Sequence, residues 1–330
     1  MKDGRPSVRT DKLGVVIPCY RVSDQVLDVI AKIGPEVERI IVVDDGCPEG
    51  SGRLVESSCR DPRVRVMYHA QNLGVGAATV SGYRLALQEG ATIIVKLDGD
   101  GQMDPRLIPQ LVAPLRQGLA DYAKGNRFYH HTLLRQMPGL RLAGNAILSF
   151  ATKLSSGYWN VMDPTNGFTA IHGACVRALP LDKLDKRFFF ESDVLFRLST
   201  IRAAVADVPM RAMYEKGGSN LRVVREALVF PAKHLGCLLK RLVYNYFLRD
   251  FNLGSVQLAF GLVLCAFGAV FGAWHWYDSV ASGVTASSGT VMLASLPFIL
   301  GVQFLLGFVG YDVANTPRVP VHLLLQDSEG

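Results

Sequence analysis

The sequence predicts an α/β catalytic domain on a mainly parallel sheet, followed by basic amphipathic helices and two membrane-spanning helices. Three observations carry this. Short apolar, β-rich runs alternate with helical stretches up to Met210. Several of those runs end in polar loops, above all Lys96-Leu97-Asp98-Gly99-Asp100-Gly101-Gln102. Charged residues then vanish: no Asp, Glu, Lys or Arg occurs from Phe251 to Tyr277, and none between Asp278 and Asp312. Alternation of strand and helix implies parallel strands with right-handed crossovers, and a bilayer span needs roughly 20 apolar residues.

The elements follow in order. Leu13 to Pro18 reads as a first strand, and Ser23 can cap the helix carrying Val26, Leu27, Val29, Ile30 and Ile33. Arg39 to Val43 is a second strand ending in Asp44-Asp45-Gly46, and Val64 to Tyr68 a third. Asn72-Leu73-Gly74-Val75-Gly76 opens a helix reaching about Glu89. Its Gly-x-Gly lacks the rest of a dinucleotide fingerprint, so a tight loop entering a helix explains it better. Thr92 to Leu97 is the fourth strand, Pro105 starts a helix, and Asp121 to Arg127 is a strand ending in a basic residue. A helix from about Leu140 to Leu154 follows, then the dense turn Asp163-Pro164-Thr165-Asn166-Gly167-Phe168 and the extended Thr169 to Ile171. Phe188-Phe189-Phe190-Glu191-Ser192-Asp193 begins a helix, and Val205 to Met210 is the last strand.

From Arg211 to Arg249, Lys and Arg interleave with Leu, Val, Phe and Tyr at helical spacing, the pattern of a membrane-surface helix. Spans are expected at about 253–276 and 291–313. No Lys or Arg lies between Arg249 and Arg318, so the positive-inside rule puts the catalytic part and the C-terminus in the cytoplasm. The expected division is 1–212 catalytic, 213–250 interface helices, 251–318 the spanning hairpin and 319–330 a loose tail.

Composition agrees. The chain has 330 residues, 49% of them hydrophobic, and a formal net charge of +6, which suits an anionic membrane surface. No nucleic-acid partner is expected, and assembly into a homo-oligomer is left open. Six scattered cysteines without a Cys-x-x-Cys pair read as reduced and buried. The polar residues 1–12 give no expectation of a signal peptide.

The chemistry concentrates on the loop after the fourth strand. Asp98 and Asp100, with Gln102 two further on, offer hard oxygen donors at the strand end where open α/β sheets bind ligands. Such a set suits Mg2+ or Mn2+ shared with substrate phosphates, although Asp and Gly also dominate ordinary solvated turns. Glu191 and Asp193 complement a helix N-terminus, but beside three phenylalanines they would be expensive to bury unpaired.

Taken together, Val16-Ile17-Pro18-x-Tyr20, Val42-Val43-Asp44-Asp45-Gly46, Asp98-Gly99-Asp100-Gly101-Gln102, Gly125-Asn126-Arg127 and Asp163 to Phe168 resemble family 2 glycosyltransferases of the GT-A fold, over about residues 13–250. The likeness is greatest to the membrane-anchored polyprenyl-phosphate group, the dolichol-phosphate mannose synthases and their bacterial relatives. The resemblance implies transfer of a sugar from a GDP- or UDP-activated donor to a polyprenyl phosphate, with inversion, at the cytoplasmic face of the cell inner membrane or the endoplasmic reticulum.

It also implies roles. Pro18, Tyr20, Val43 and Asp45 match positions that hold the base and ribose. Asp98, Gly99 and Asp100 match the pyrophosphate and metal loop, with Gln102 a further metal ligand. Arg127 matches an arginine near the diphosphate or acceptor phosphate, Asp163 an acid close to the acceptor, and Glu191 and Asp193 a Glu-Asp pair. The sequence departs from the pattern at Val22, where the synthases carry Glu, and at Tyr214 and Asn220, where they carry Arg and Lys. Lys216, on the same Gly-rich loop, is the candidate replacement cation, with Arg211 and Arg222 as alternatives. Two rivals are a processive polysaccharide synthase, which needs more spans and a Gln-x-x-Arg-Trp motif, and a non-catalytic membrane scaffold of the same fold.

Overall fold

The structure, a computed structural model, describes residues 11–129, 139–210 and 223–325. The chain divides into two compact units, Met1–Leu238 with Pro317–Gly330, and Leu239–Thr316.

The first unit is built on seven strands: β1 (Leu13–Cys19), β2 (Arg39–Asp44), β3 (Val64–Tyr68), β4 (Ile93–Lys96), β5 (Tyr122–Asn126), β6 (Thr169–His172) and β7 (Val205–Pro209), in the order β3-β2-β1-β4-β6-β5-β7. Strands β1 to β4 pair in parallel, and β5 pairs in parallel with β7. Strand β6 runs antiparallel between β4 and β5. The C-terminal ends of β1, β2, β4, β5 and β7 therefore share one edge with the N-terminal end of β6. Residues 163–168, which precede β6, arrive at that edge with the loop after β4.

The central strands β1, β2 and β4 are largely apolar because both faces are covered. One face packs Val15, Ile17, Val42 and Val95 against α1 (Val26–Ala31), α2 (Ser51–Ser58) and α4 (Ile108–Arg116). The other packs Val16, Ile41 and Ile94 against α3 (Val75–Gln88), α6 (Gly173–Ala178) and α7 (Phe190–Thr200), with α5 (Gly139–Ser156) beside α7. Ser23 does not cap α1, whose N-cap is Gln25 without a side-chain bond; the Ser23 hydroxyl turns to that of Ser51 instead. All six cysteines are free thiols, but only Cys19 and Cys175 are buried, the others lying in half-buried positions on helices and loops.

Helix α8 (Val223–Val243) carries the basic stretch and runs into a π-turn, Tyr244–Leu248. Within the first unit its Lys233 reaches Asp185, and His234 bonds the Ser155 hydroxyl at 2.8 Å. In the second unit, α9 (Leu253–Ser282) and α10 (Ser288–Ala314) form the apolar hairpin, each longer than expected. Both are long and apolar enough to cross a membrane, with mean hydropathy 2.1. Gly261, Gly268 and Gly301 let the two backbones approach, since a Cβ on any of them would strike the facing helix. Arg241, counted among the basic surface residues, is instead buried. It pairs with Asp312 at 2.6 and 3.0 Å, and the Tyr246 hydroxyl donates to the same carboxylate.

The expectation of a loose tail after residue 319 is corrected. Helix α11 (His322–Leu325) packs on the first unit, and its entry is tied to Asp121. That buried carboxylate accepts from Ala204 N, Val321 N, His322 N and His322 Nδ1, while the His322 ring stacks on His172 at 4.2 Å. No local pattern announces this, because the partners lie 200 residues apart.

Burial pushes the Asp121 carboxyl upward, but these hydrogen bonds prevail and hold it below its ordinary value. A lowered carboxyl contributes stability above the unfolded pKa of about 3.9 and loses it as pH falls through the folded value. Asp121→Asn should therefore lower the thermal midpoint of the full chain at pH 7, by the equivalent of about 1–3 kcal/mol. The gap to wild type should close below about pH 4; equal midpoints at pH 7 would show that the clasp contributes nothing.

Candidate active site

The loop after β4 is set by a lysine inside the strand. Lys96 is 1% exposed, and its ammonium donates to Asp98 Oδ1 at 2.8 Å, Glu191 Oε1 at 3.1 Å and the Gly167 carbonyl at 3.4 Å. Burial opposes its charge, yet the two carboxylates outweigh burial and raise its pKa. One ammonium thus joins β4, the turn before β6 and the first turn of α7. Gly167 is required there: a Cβ would lie 2.5 Å from Asp98 Oδ2 and 2.6 Å from Lys96 Nζ.

Asp100 follows on the same loop, half-buried, with its carboxyl raised by burial and by the charge of Asp98. Gln102 donates its backbone N–H to Asp100 at 3.1 Å and leaves its side chain exposed. Gly99 lies against Ile17, Cys19 and Val22, so Val22 serves as packing beneath the loop.

Along the same sheet edge, Lys96, Thr169, Lys124 and Asp207 occupy one register row across β4, β6, β5 and β7. Lys124 is fully buried and donates to the Asn166 carbonyl. Burial pulls it down to about 8 against the opposing pull of Glu191 and Asp163. Burial also lifts Asp207 to about 6, while it accepts from Asn126 Nδ2 at 2.6 Å. Arg127, just past β5, grips Asp163 with Nε at 2.7 Å and a terminal nitrogen at 2.9 Å, and its backbone N–H adds a third bond at 3.2 Å. Asp163 is wholly buried while the Arg127 side chain remains 29% exposed. The acid therefore orients the arginine, whose outer part faces solvent at the edge.

The opposite flank carries the residues expected to meet the nucleotide. Pro18 lies in β1 opposite Val43 and Tyr20 just past the strand, with Tyr20 exposed and Arg21 over its ring. Val43 is wholly buried in β2. Asp45 is buried too, and its oxygens accept from His69 Nδ1 at 2.7 Å, Leu73 N at 2.9 Å and Gly74 N at 2.7 Å. In this conformation it organises the loop into α3. Gly74 and Gly76 are required by close approach, since their Cβ atoms would sit 2.3 Å from Lys186 O and 2.2 Å from Asp185 O.

The edge thus brings together Asp98, Asp100, Gln102, Glu191, Arg127 and Asp163. It does not bring in Asp193, whose carboxylate turns away to Asp185 N at 2.8 Å and Arg197 at 3.1 Å. Lys216, with Arg211, Tyr214, Asn220 and Arg222, lies outside the described residues. Lys96, Lys124 and Asp207 were missed by sequence reasoning, although a lone charged residue inside an otherwise apolar strand is a readable signal.

No group of three His, Cys, Asp or Glu at ligand spacing occurs among the described residues. Two carboxylates and an amide are nonetheless a fit for Mg2+ or Mn2+, which commonly take few protein ligands and complete their shell with phosphates and water. Burial first, and then the charge of Asp98, raise the Asp100 carboxyl, so a cation on this loop would favour its ionised form. Asp98, Asp100 and Gln102 would hold such an ion.

Gly167→Ala is expected to leave the fold in place but displace Asp98 and Lys96. The thermal midpoint should fall by the equivalent of about 1–3 kcal/mol, with a much larger proportional loss of transfer activity. Unchanged activity would show that the Lys96–Asp98 geometry does not matter.

The family model for glycosyl transferase family 2 matches residues 14–177. The chain is 30% identical over 230 residues to the polyprenol monophosphomannose synthase of Mycolicibacterium smegmatis, covering 66% of this chain and 84% of that protein. It is 27% identical over 214 residues to a UDP-N-acetylglucosamine–dolichyl-phosphate N-acetylglucosaminyltransferase of Methanococcus voltae, covering 61% and 85%. It is 28% identical over 221 residues to the undecaprenyl-phosphate mannosyltransferase of Micrococcus luteus, covering 65% and 90%. In fold it is similar to glucosyl-3-phosphoglycerate synthase of Mycobacterium tuberculosis, solved with Mn2+, UDP and glucosyl-3-phosphoglycerate. That likeness has a TM-score of 0.52 and 20% identity, covering 70% of this chain and 80% of that one. With the synthase of M. smegmatis covered over most of its length and the family model matched across the strands that build the edge, the chain belongs to glycosyl transferase family 2 and is a glycosyltransferase.

Proposed function

We propose that the protein transfers a sugar from a GDP- or UDP-sugar to a polyprenyl phosphate, giving a polyprenyl-phosphate sugar with inverted anomeric configuration. The observation that carries this is the meeting, at one sheet edge, of the carboxylate loop after β4 with an arginine locked by a buried aspartate after β5. The relatives' polyprenyl-phosphate acceptors and the apolar hairpin support the lipid acceptor.

A phosphomonoester is largely dianionic at neutral pH, its second pKa being about 6. It is already a nucleophile and needs no strong base. The difficulty is to bring two phosphates together and to stabilise the departing nucleoside diphosphate. A divalent ion, when bound, would act as a Lewis acid on the diphosphate. Asp98, Asp100 and Gln102 bind that end, and Arg127 offers its guanidinium to the acceptor phosphate. At about 4 Å and an effective dielectric near 20, a unit charge pair is worth on the order of 4 kcal/mol. Asp163 keeps Arg127 aimed, and in this role it moves no proton. Pro18, Tyr20, Val43 and Asp45 form the nucleotide flank, Tyr20 by its exposed ring and Asp45 by fixing the loop beside it. The basic helix and the apolar hairpin support work at the cytoplasmic membrane face.

The test is to incubate the purified full chain with Mn2+ or Mg2+, a panel of nucleotide-sugars, and undecaprenyl or dolichyl phosphate, and to weigh the lipid product. A mass increase of one sugar residue is expected with one donor; no lipid product with any donor would sink the proposal. Asp100→Ala should keep less than about a tenth of wild-type turnover, because a tenfold loss is only about 1.4 kcal/mol, too little for a removed metal ligand. Arg127→Lys should retain charge but lose the two-pronged grip on Asp163, lowering turnover on the order of tenfold or more. Near-wild-type turnover of that variant would mean the arginine is not aimed at the acceptor.

A further inference from the structure

Lys96, a cation buried within the edge, is given no role by the reading above. Its three ammonium protons are matched by three acceptors, Asp98 Oδ1, Glu191 Oε1 and the Gly167 carbonyl. Because Lys96 belongs to β4 and is 1% exposed, its head cannot swing into solvent as a surface lysine would. Asp98 is therefore bound to an internal cation on one oxygen, while its other oxygen fills the space that Gly167 leaves beside it. A divalent ion held by this loop must share Asp98 with Lys96. Glu191, 13% exposed, accepts from the same ammonium and draws part of its charge away from Asp98.

We propose that Lys96 is a built-in counter-ion and a positioning residue. It fixes Asp98 before the ion arrives and weakens the hold of the loop on a divalent cation, and Glu191 sets how strongly it does so. Glu191 on this account is a partner of Lys96 and takes no proton from the acceptor. The inference rests on the metal-loop reading of Asp98, Asp100 and Gln102.

The two partners give effects of opposite sign, which a merely structural role would not. Glu191→Gln leaves the whole ammonium charge to Asp98 and should weaken Mn2+ binding, by about fivefold or more. Lys96→Met removes the competitor and should tighten Mn2+ binding, by about tenfold or more, since an uncompensated like charge near a cation site costs on this order at an intermediate dielectric. The double variant should lie between them. The measurement is an electron paramagnetic resonance titration of Mn2+ alone with the full chain in detergent micelles, after a thermal melt has shown each variant to be folded.

Unchanged or tighter binding by Glu191→Gln, or weaker binding by folded Lys96→Met, overturns the inference. If Lys96→Met does not fold, the near-isosteric Glu191→Gln decides alone. Absence of Mn2+ binding by wild type also overturns it, whereas sugar transfer seen without added metal would leave the proposed transfer standing. Conversely, the expected ranking of Mn2+ affinities with no transfer from any donor would retain the counter-ion and sink the proposed substrates.

Discussion

A buried ammonium must be paired or it will not stay charged, and the sheet edge of the candidate site is built round that constraint. Leaving Lys96 unpartnered in the sheet would cost several kcal/mol. Its partners come from three separate places: Asp98 from its own loop, Gly167 from the turn before β6 and Glu191 from α7. Satisfying one charge thus fixes the relative positions of the β4 loop, the turn before β6 and α7. The neighbouring row continues the pattern, with Lys124 between Glu191 and Asp163 in the field it feels, and Arg127 closing on Asp163. Alternating signs let a dense group of ionisable residues be buried without net repulsion. They also leave the Arg127 side chain partly exposed at the edge.

Strand β6 makes this possible. Were it parallel to its neighbours, residues 163–168 would enter from the opposite side of the sheet and Asp163 could not reach Arg127. By running antiparallel between β4 and β5, it sets Thr169 between Lys96 and Lys124 and shares its hydroxyl with Tyr83 and Tyr122. The glycines at 74, 76 and 167 serve the same end, each allowing a backbone or a charged head to come closer than a side chain would permit.

The second unit has its own polar knot. Arg241 and Tyr246 converge on Asp312 near the end of α10, so the charge least expected in an apolar helix is matched where it is buried. In the first unit, the returning chain caps Asp121 through Val321 and His322. Both knots join residues about seventy or more positions apart, and both consume charges that a linear charge map would count as surface.

Much of this protein was written locally. Short β-rich runs bounded by Gly, Asp and Pro gave all seven strands to within a residue or two, most plainly β1, β2 and β4, because a strand covered on both faces has no freedom to alternate. The absence of charge from Phe251 to Tyr277 and from Ser279 to Tyr311 gave the hairpin, because lipid tolerates little else. The motif loops at strand ends gave Asp98, Asp100, Arg127 and Asp163, since loops carrying chemistry keep distinctive residue types. Pairing across the sheet was not legible. The direction of β6, the use of Asp163 to aim Arg127, the turning of Asp193 to Arg197 and the burial of Lys96 and Lys124 are set by contacts between residues far apart in the chain. No local pattern records those contacts, because a charged side chain reads the same in sequence whether water or a carboxylate from another element will neutralise it.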